Sequence, residues 1–433
     1  MVNTERKKST PIPIPTPTPT PKEAVTGNRQ PPAGGDGIPR LRRDVRGSAV
    51  WDAKECRQTL RLITMNSVTQ AQAVAVGMSG GVDSSVVAWL LLQQGHRVLG
   101  LTMSIWDGTV ALSDEGLSGC YGPGEAWDID AARSVAARLG VPHHVIPLAS
   151  EYAAEVLDYF RAEYRAGRTP NPCVRCNRSM KFALLLTRAR AMGIAFDRFA
   201  TGHYARVERD SATGRWLLLR AADRSKDQTY FLSRLSQDQL AQALFPLGAL
   251  TKDRVKALAR EAGWSDVADK PESQDFIESR NYSVLFDARD AVPGPIVDTS
   301  GKVLGQHKGI VGYTIGQRKG LGIGGTTDPL YVVRIEACAN TLVVGGHQDL
   351  FASRLTARDL NWISLPGPPV TPIRVTVKIR QQHREAVATL HSGTETDATA
   401  VEIHFDEPQM SVTPGQTAVF YDGDCVVGSG IIR

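Results

Sequence analysis

Between an apolar strand and an apolar helix the chain carries Gly77-Met78-Ser79-Gly80-Gly81-Val82-Asp83-Ser84-Ser85, and no other stretch limits its fold so tightly. Ala73 to Met78 has the length and content of a buried strand, Ser84 to Gln94 that of a helix, and Arg97 to Met103 that of a second strand. A strand, helix and strand in this order form a crossover unit, which belongs in a parallel sheet. In the loop from Ser79 to Asp83 two glycines leave backbone N–H groups unshielded beside the positive end of the helix dipole, so an anion is expected there. The loop lacks the Lys that would follow the last Gly of a Walker A motif, and it does not follow the GxGxxG dinucleotide pattern.

The alternation continues with a helix from Ile129 to Leu139, a strand at Val145 to Pro147, a helix around Met180 to Met192 and a strand at Arg198 to Thr201. The expected fold is α/β, with an N-terminal doubly wound parallel sheet covered on both faces and ligands bound beyond the C-terminal strand ends. After about residue 290 the helical period fades. Gly/Pro turns then separate short alternating runs such as Arg374 to Ile379, Ala398 to Phe405 and Ala418 to Tyr421, the pattern of a small β-barrel. The expected division is a disordered Pro-rich extension over 1–70, a catalytic domain over 71–285, a small central domain over 286–350 and a C-terminal β-barrel over 351–433.

Pro11, Pro13, Pro15, Pro17, Pro19 and Pro21 favour polyproline II over packed structure, and an organellar targeting peptide, a disordered tail and a true start at Met65 remain open for this extension. No apolar run reaches the roughly 18 to 20 residues that span a bilayer, so a cytoplasmic protein without a membrane partner is expected. Six cysteines in 433 residues are too sparse for a disulfide scaffold, so a clustered pair reads as redox, metal or sulfur chemistry. A net charge of +5 permits an RNA partner without establishing one, and local charge decides more. Lys302, Lys308, Arg318 and Lys319 lie in a segment, 301 to 320, that contains no acid and suits phosphates, or else is a solvated basic loop.

The clustered pair is Asn171-Pro172-Cys173-Val174-Arg175-Cys176-Asn177, set between two helical stretches with Arg168, Arg175, Arg178 and Lys181 around it and no acid close in sequence. Cationic neighbours and a helix N-terminus lower a thiol pKa, so nucleophilic thiolate is expected. A structural zinc would need two further ligands, for which Cys120 and His203 are the candidates. Taken alone, His203 in Gly202-His203-Tyr204 reads as a structural histidine.

The string SGGVDSS resembles the pyrophosphate loop of the ATP pyrophosphatases, which split ATP between its α and β phosphates and pass AMP to an acceptor oxygen. That resemblance implies an adenine nucleotide α-hydrolase-like fold and ATP contacts along Gly77, Met78, Ser79, Gly80, Gly81, Val82, Asp83, Ser84 and Ser85, with Met103 against adenine and Gly202 opposite. Asp83 would help place Mg2+. Met103 is equally readable as a core methionine.

Together with the cysteine pair, the strings NPxxxCNxxxKF at 171–182, ATGHYAR at 200–206, KDQTYFL at 226–232, KPESQDF at 270–276, YTIGQRKGLG at 313–322 and TPGQTAVFYDG at 413–423 resemble one family, the tRNA-specific 2-thiouridylases. The resemblance implies adenylation of O2 of the wobble uridine in tRNAs for Lys, Glu and Gln, then replacement of that oxygen by sulfur delivered as a persulfide at Cys176. It implies base contacts at Asn171, Pro172 and Cys173 and tRNA contacts at Lys226, Asp227, Gln228, Arg380 and Gln381, beside the basic Arg318 and Lys319. It also implies a sulfur donor, either a persulfide carrier or a cysteine desulfurase relay; a monomer is expected. Many relatives carry a second catalytic cysteine two residues after the ESQD string, where this chain has Phe276 and Ile277. Cys173, where relatives often have Asp, and Cys120 are the candidates to replace it. Two mechanisms fit: a Cys176 persulfide resolved by Cys173 or Cys120, or a 4Fe-4S cluster on Cys120, Cys173 and Cys176 with one open iron. Another ATP pyrophosphatase acting on a small acid, and a non-catalytic RNA-binding module, are the competing functions.

Overall fold

Five parallel strands form the first sheet: β1 (Ala73–Gly77), β2 (Arg97–Ser104), β3 (His143–Pro147), β4 (Arg198–Ala200) and β5 (Ala243–Leu244), in the spatial order β3-β2-β1-β4-β5. These come from a computed structural model that describes residues 71–112, 119–269, 275–279, 281–325, 328–393, 397 and 399–433. The reading of 1–70 as a disordered extension lies outside the described residues.

Alternate residues of β1 explain why both faces are covered. Val74 and Val76 pack with Val86, Leu90 and Leu258 on one side, while Ala73 and Ala75 belong to a second core with Leu101, Leu185 and Phe199. Helix α1 (Val82–Gln93) is apolar almost all round because it is buried against the sheet. Helix α2 (Glu125–Leu139) starts four residues before the expected Ile129. Its first turn holds the exposed Trp127 and so lacks the inward apolar period that would reveal it.

The hairpin of Ala205–Arg209 and Trp216–Arg220 is antiparallel and was not legible between the longer elements. The central domain has β6 (Gly294–Asp298), β7 (Val303–His307), β8 (Tyr331–Glu336) and β9 (Thr341–Gly345), ordered β7-β6-β9-β8 around Ile296, Val332, Leu342 and Val344. The C-terminal strands are β10 (Phe351–Trp362), β11 (Ile373–Lys378), β12 (Ala386–Ser392), β13 (Val401–Met410), β14 (Thr417–Asp422) and β15 (Cys425–Ile432). They run β10-β13-β12-β11-β14-β15, and β15 pairs back to β10, which closes the barrel and removes its edges. The Ala205–Arg220 hairpin adds to the barrel wall through Cys425 and Leu219. Among the described residues no helix is long and apolar enough to cross a membrane.

Candidate active site

The loop after β1 is shaped by its glycines. Gly80 has φ +70°, and a Cβ there would stand 2.7 Å from Ala131 Cβ and 2.8 Å from Asp128 O, so α2 packs directly on the loop. Gly81 caps α1 with no side-chain hydrogen bond, leaving the first-turn N–H groups of α1 to face outward. Ser85 Oγ donates to Gly81 O at 2.8 Å, and Ser84 Oγ accepts from Ser79 N at 3.3 Å, so two buried hydroxyls brace the turn. Ser79 is exposed at its mouth. The result is a backbone cradle for an anion at the C-terminal edge of the sheet.

Asp83 is the carboxylate of this loop. Lys252 Nζ donates to both of its oxygens at 2.8 Å, and Tyr204 OH donates to Oδ1 at 2.9 Å. Sequence reasoning passed over Lys252, yet it left a signal: a lysine opens the helix Lys252–Glu261, at the positive end of that helix's dipole. Burial of this ammonium, 8% exposed, is tolerable because Asp83 pairs with it. Gly202 closes the other side, since a Cβ there would stand 2.8 Å from Asp83 Cβ and 3.0 Å from Ser84 N. Met103 is half-buried near the end of β2 and packs against the core below the same edge.

The cysteines are reached through the next residues of that turn. Thr201 Oγ1 and His203 Nδ1 are 2.7 Å apart, and the imidazole packs against the rings of Phe182 and Phe245. Burial, reinforced by the charge of Lys181, pushes His203 down to about 3, so it is neutral at physiological pH. Lys181 is shifted upward: burial opposes its charge, but Cys176, Cys120 and Cys173, as thiolates, favour it and outweigh burial.

Asn171 starts the cysteine helix by accepting from Val174 N at 3.1 Å, with Pro172 at the first helical position. Pro172–Cys176 runs unbroken into a π-helical segment, Asn177–Leu184, and on through Leu185–Ala191, so the pair opens one long helix instead of linking two. The barrel braces this start. Gln416 Nε2 donates to Thr169 O at 2.8 Å and Pro170 O at 3.2 Å, and Thr169 N donates to Pro414 O at 2.8 Å.

Two expectations need correction. The arginines near the pair are not free of acids, because folding brings Glu155 to Arg175 at 2.6 Å and Glu163 to Arg168 at 2.6 Å, while Arg178 is 4.0 Å from Asp359. Lys181 is the cation that acts on Cys176. Nor is the thiol pKa lowered: burial pushes Cys176 up to about 11 despite Lys181, and Cys173 up to about 12. The three thiols of Cys120, Cys173 and Cys176 lie within range of one another's charge. Among the described residues, however, no group of three or more Cys, His, Asp and Glu is arranged to hold a metal ion, and an ammonium faces the thiols. As placed, they do not fit a zinc or a 4Fe-4S cluster.

Of the tRNA-contact candidates, 226–228 and 380–381 meet at the seam with the barrel. Gln381 Nε2 donates to Asp227 O at 3.2 Å, and Arg380 donates to Met410 O at 3.3 Å. The Asp227 carboxylate is turned inward, 3.4 Å from Arg220 and accepting from Thr229 Oγ1 at 2.7 Å, while Gln228 Oε1 accepts from Tyr204 N at 2.9 Å. Lys226 is half-buried beside them. Arg318, Lys319, Lys302 and Lys308 are exposed on the central domain.

Comparison with known proteins finds three families along the chain. The tRNA methyl transferase HUP domain family matches residues 72–278, the tRNA methyl transferase PRC-barrel domain family 283–346, and the aminomethyltransferase beta-barrel domain family 352–432. The tRNA-specific 2-thiouridylase MnmA of Endomicrobium trichonymphae is 46% identical over 362 residues, 83% of this chain and 98% of that protein. The protein of the same name from Acetivibrio thermocellus is 46% identical over 365 residues, 83% of this chain and 99% of that one. Among solved structures, the U34-tRNA thiolase NcsA from Methanococcus maripaludis with its [4Fe-4S] cluster is 17% identical, covers 57% of this chain and 79% of that one, and has a TM-score of 0.34.

Proposed function

Because the chain belongs to the tRNA-specific 2-thiouridylase family, we propose that it replaces O2 of the wobble uridine in tRNAs for Lys, Glu and Gln with sulfur, using ATP. One observation carries this reading: the turn Thr201 to Tyr204 joins the two halves of the chemistry. Its Gly202 and Tyr204 pack on Asp83 and Ser84 of the loop, and its His203 senses Lys181, which faces the thiols. A base lifted from its stack between them would present O2 to a nucleotide on one side and its C2 to a sulfur on the other.

A uracil carbonyl oxygen is a poor leaving group. In the first step O2 attacks the α phosphorus of ATP, pyrophosphate leaves into the cradle of Ser79 to Ser85, and the oxygen becomes part of AMP. Lys252, released from Asp83 as phosphate charge arrives, stabilises the leaving pyrophosphate. Magnesium carried in with the nucleotide would take Asp83 as its protein carboxylate and neutralise phosphate charge. In the second step a persulfide on Cys176 attacks C2, and AMP departs. A free thiol pushed up to about 11 is a poor nucleophile at neutral pH, which favours a persulfide, with its lower pKa, as the attacking species. Lys181 stabilises that anion, and neutral His203 adds no second positive charge beside Lys181.

The 301 to 320 segment and the seam at 226–228 and 380–381 serve tRNA binding in this reading, with Asn171, Pro172 and Cys173 beside the base. The sulfur comes from a persulfide carrier or desulfurase relay, the working unit is a monomer, and the compartment is the cytoplasm, where tRNA, ATP and reduced thiols coexist. Nucleoside mass spectrometry of tRNA from a strain lacking the protein tests the reading: wobble 2-thiouridine is lost and returns with the wild-type chain. Unchanged 2-thiouridine in that strain would contradict it.

A further inference from the structure

The sulfur-transfer reading requires a second thiol, because sulfane sulfur must gain an electron pair to become the thione of the product. Ile277, where the resemblance expects that thiol, is 1% exposed in the core. The strand that carries it, Asp275–Ile277, pairs in parallel with Gly119–Tyr121, with Gly119 opposite Asp275 and Tyr121 opposite Ile277. Cys120 is therefore held on the neighbouring strand.

Several contacts fix it there. A Cβ on Gly119 would stand 2.5 Å from the Ile277 carbonyl carbon, so glycine alone permits the two strands to approach. Gly124 N donates to Glu278 Oε2 at 2.9 Å just beyond the pair. Tyr121 points into the core and stacks on Tyr152 with centroids 5.4 Å apart, and strand alternation turns Cys120 the other way. It lies within electrostatic range of Cys176, Cys173, Lys181 and Tyr152. Cys173 also lies near Cys176, but both are half-buried and pack against the core, whereas Cys120 is exposed. A disulfide formed in every cycle has to be reached by a reductant, and exposure favours Cys120.

We propose that Cys120 is the catalytic resolving thiol, a reading that rests on sulfur transfer at Cys176. Once the outer sulfur of the Cys176 persulfide has bonded to C2 and AMP has left, the Cys120 thiolate attacks Sγ of Cys176. The Cys176–sulfur bond breaks, its electron pair goes to the sulfur on C2 to give 2-thiouracil, and a Cys120–Cys176 disulfide forms. Two thiols lose the two electrons that the sulfane sulfur gains, and a dithiol reductant restores them.

The test is a single turnover by the full chain, preloaded with persulfide and given ATP and a wobble-uridine tRNA transcript without reductant, read by thiolated tRNA and by disulfide mapping. The wild type yields 2-thiouridine together with a Cys120–Cys176 disulfide. Cys120→Ser forms the covalent tRNA–enzyme adduct and releases product at least about tenfold more slowly, and dithiothreitol restores release by acting as the thiol. Cys338→Ser, on the central domain, behaves as wild type. A Cys173–Cys176 disulfide in the wild type, or product without any disulfide, would overturn the assignment while leaving the family reaction intact. Absence of both AMP and thiolated tRNA from the wild type would sink the sulfur-transfer reading itself.

Discussion

Nine consecutive residues, Gly77 to Ser85, make the loop proposed to take pyrophosphate, whereas the proposed thiol site draws on residues 120, 173, 176 and 181 and is braced by 414 and 416 of the barrel. In the proposed function the loop would bind with backbone N–H groups, whose direction follows from a strand turning into a helix and from the absence of side chains at Gly80 and Gly81. The thiols depend on burial and on one ammonium, both supplied by distant chain. A site made of backbone is encoded locally; a site made of pKa shifts is encoded by the whole packing around it.

The sharpest break between the two regions comes from Cys176→Ser and Asp83→Ala. Cys176→Ser should lower 2-thiouridine formation by more than about a thousandfold while tRNA-dependent pyrophosphate release persists. Asp83→Ala should lose pyrophosphate release and retain tRNA binding. If both variants lose adenylation equally, the two regions are not separable. Lys252→Met should slow adenylation by about 100- to 1000-fold, as loss of a positioned charge on the leaving phosphates does. Combined with Asp83→Asn, its effect should be less than the product of the two, because the groups contact one another at 2.8 Å.

Alkylation kinetics sharpen the thiol side. Burial raises the Cys176 pKa, so its thiolate fraction, and with it the iodoacetamide rate, should rise roughly tenfold per pH unit from 7 towards about 11. Lys181→Met removes the charge that favours thiolate and should shift this curve to higher pH; a plateau already at pH 8 would contradict the burial argument. The smallest effect is expected on the basic surface of the central domain. Replacing Arg318 and Lys319 by Ala should weaken tRNA binding and reduce the logarithmic salt slope by about 0.7 to 0.9 for each phosphate that is no longer neutralised.

Much of the loop was legible because each of its parts is local: an apolar strand, two glycines and an apolar helix. The parallel sheet followed from the same alternation, and the barrel from its evenly spaced turns. The cysteine pair was visible too, but its electrostatics were not. Charges at 168, 175 and 178 look unopposed in sequence, and only the fold brings Glu163, Glu155 and Asp359 to them. Lys252 is 169 residues from Asp83, and its one local signal, a lysine at the start of a helix, does not point to this loop. The pairing of Cys120's strand with Asp275–Ile277 was equally hidden, because each strand has three residues and no periodicity of its own. The run KPESQ at 270–274 lies outside the described residues.

Oxygen labelling tests most directly whether the two regions act on one base. A tRNA carrying 18O at O2 of its wobble uridine is incubated with the enzyme, ATP and a persulfide donor, and the AMP released is examined by mass spectrometry. Attack of that oxygen on the α phosphorus predicts one 18O in each AMP, matched by one 2-thiouridine. Unlabelled AMP formed alongside thiolated tRNA would show that the loop activates something other than the uracil oxygen.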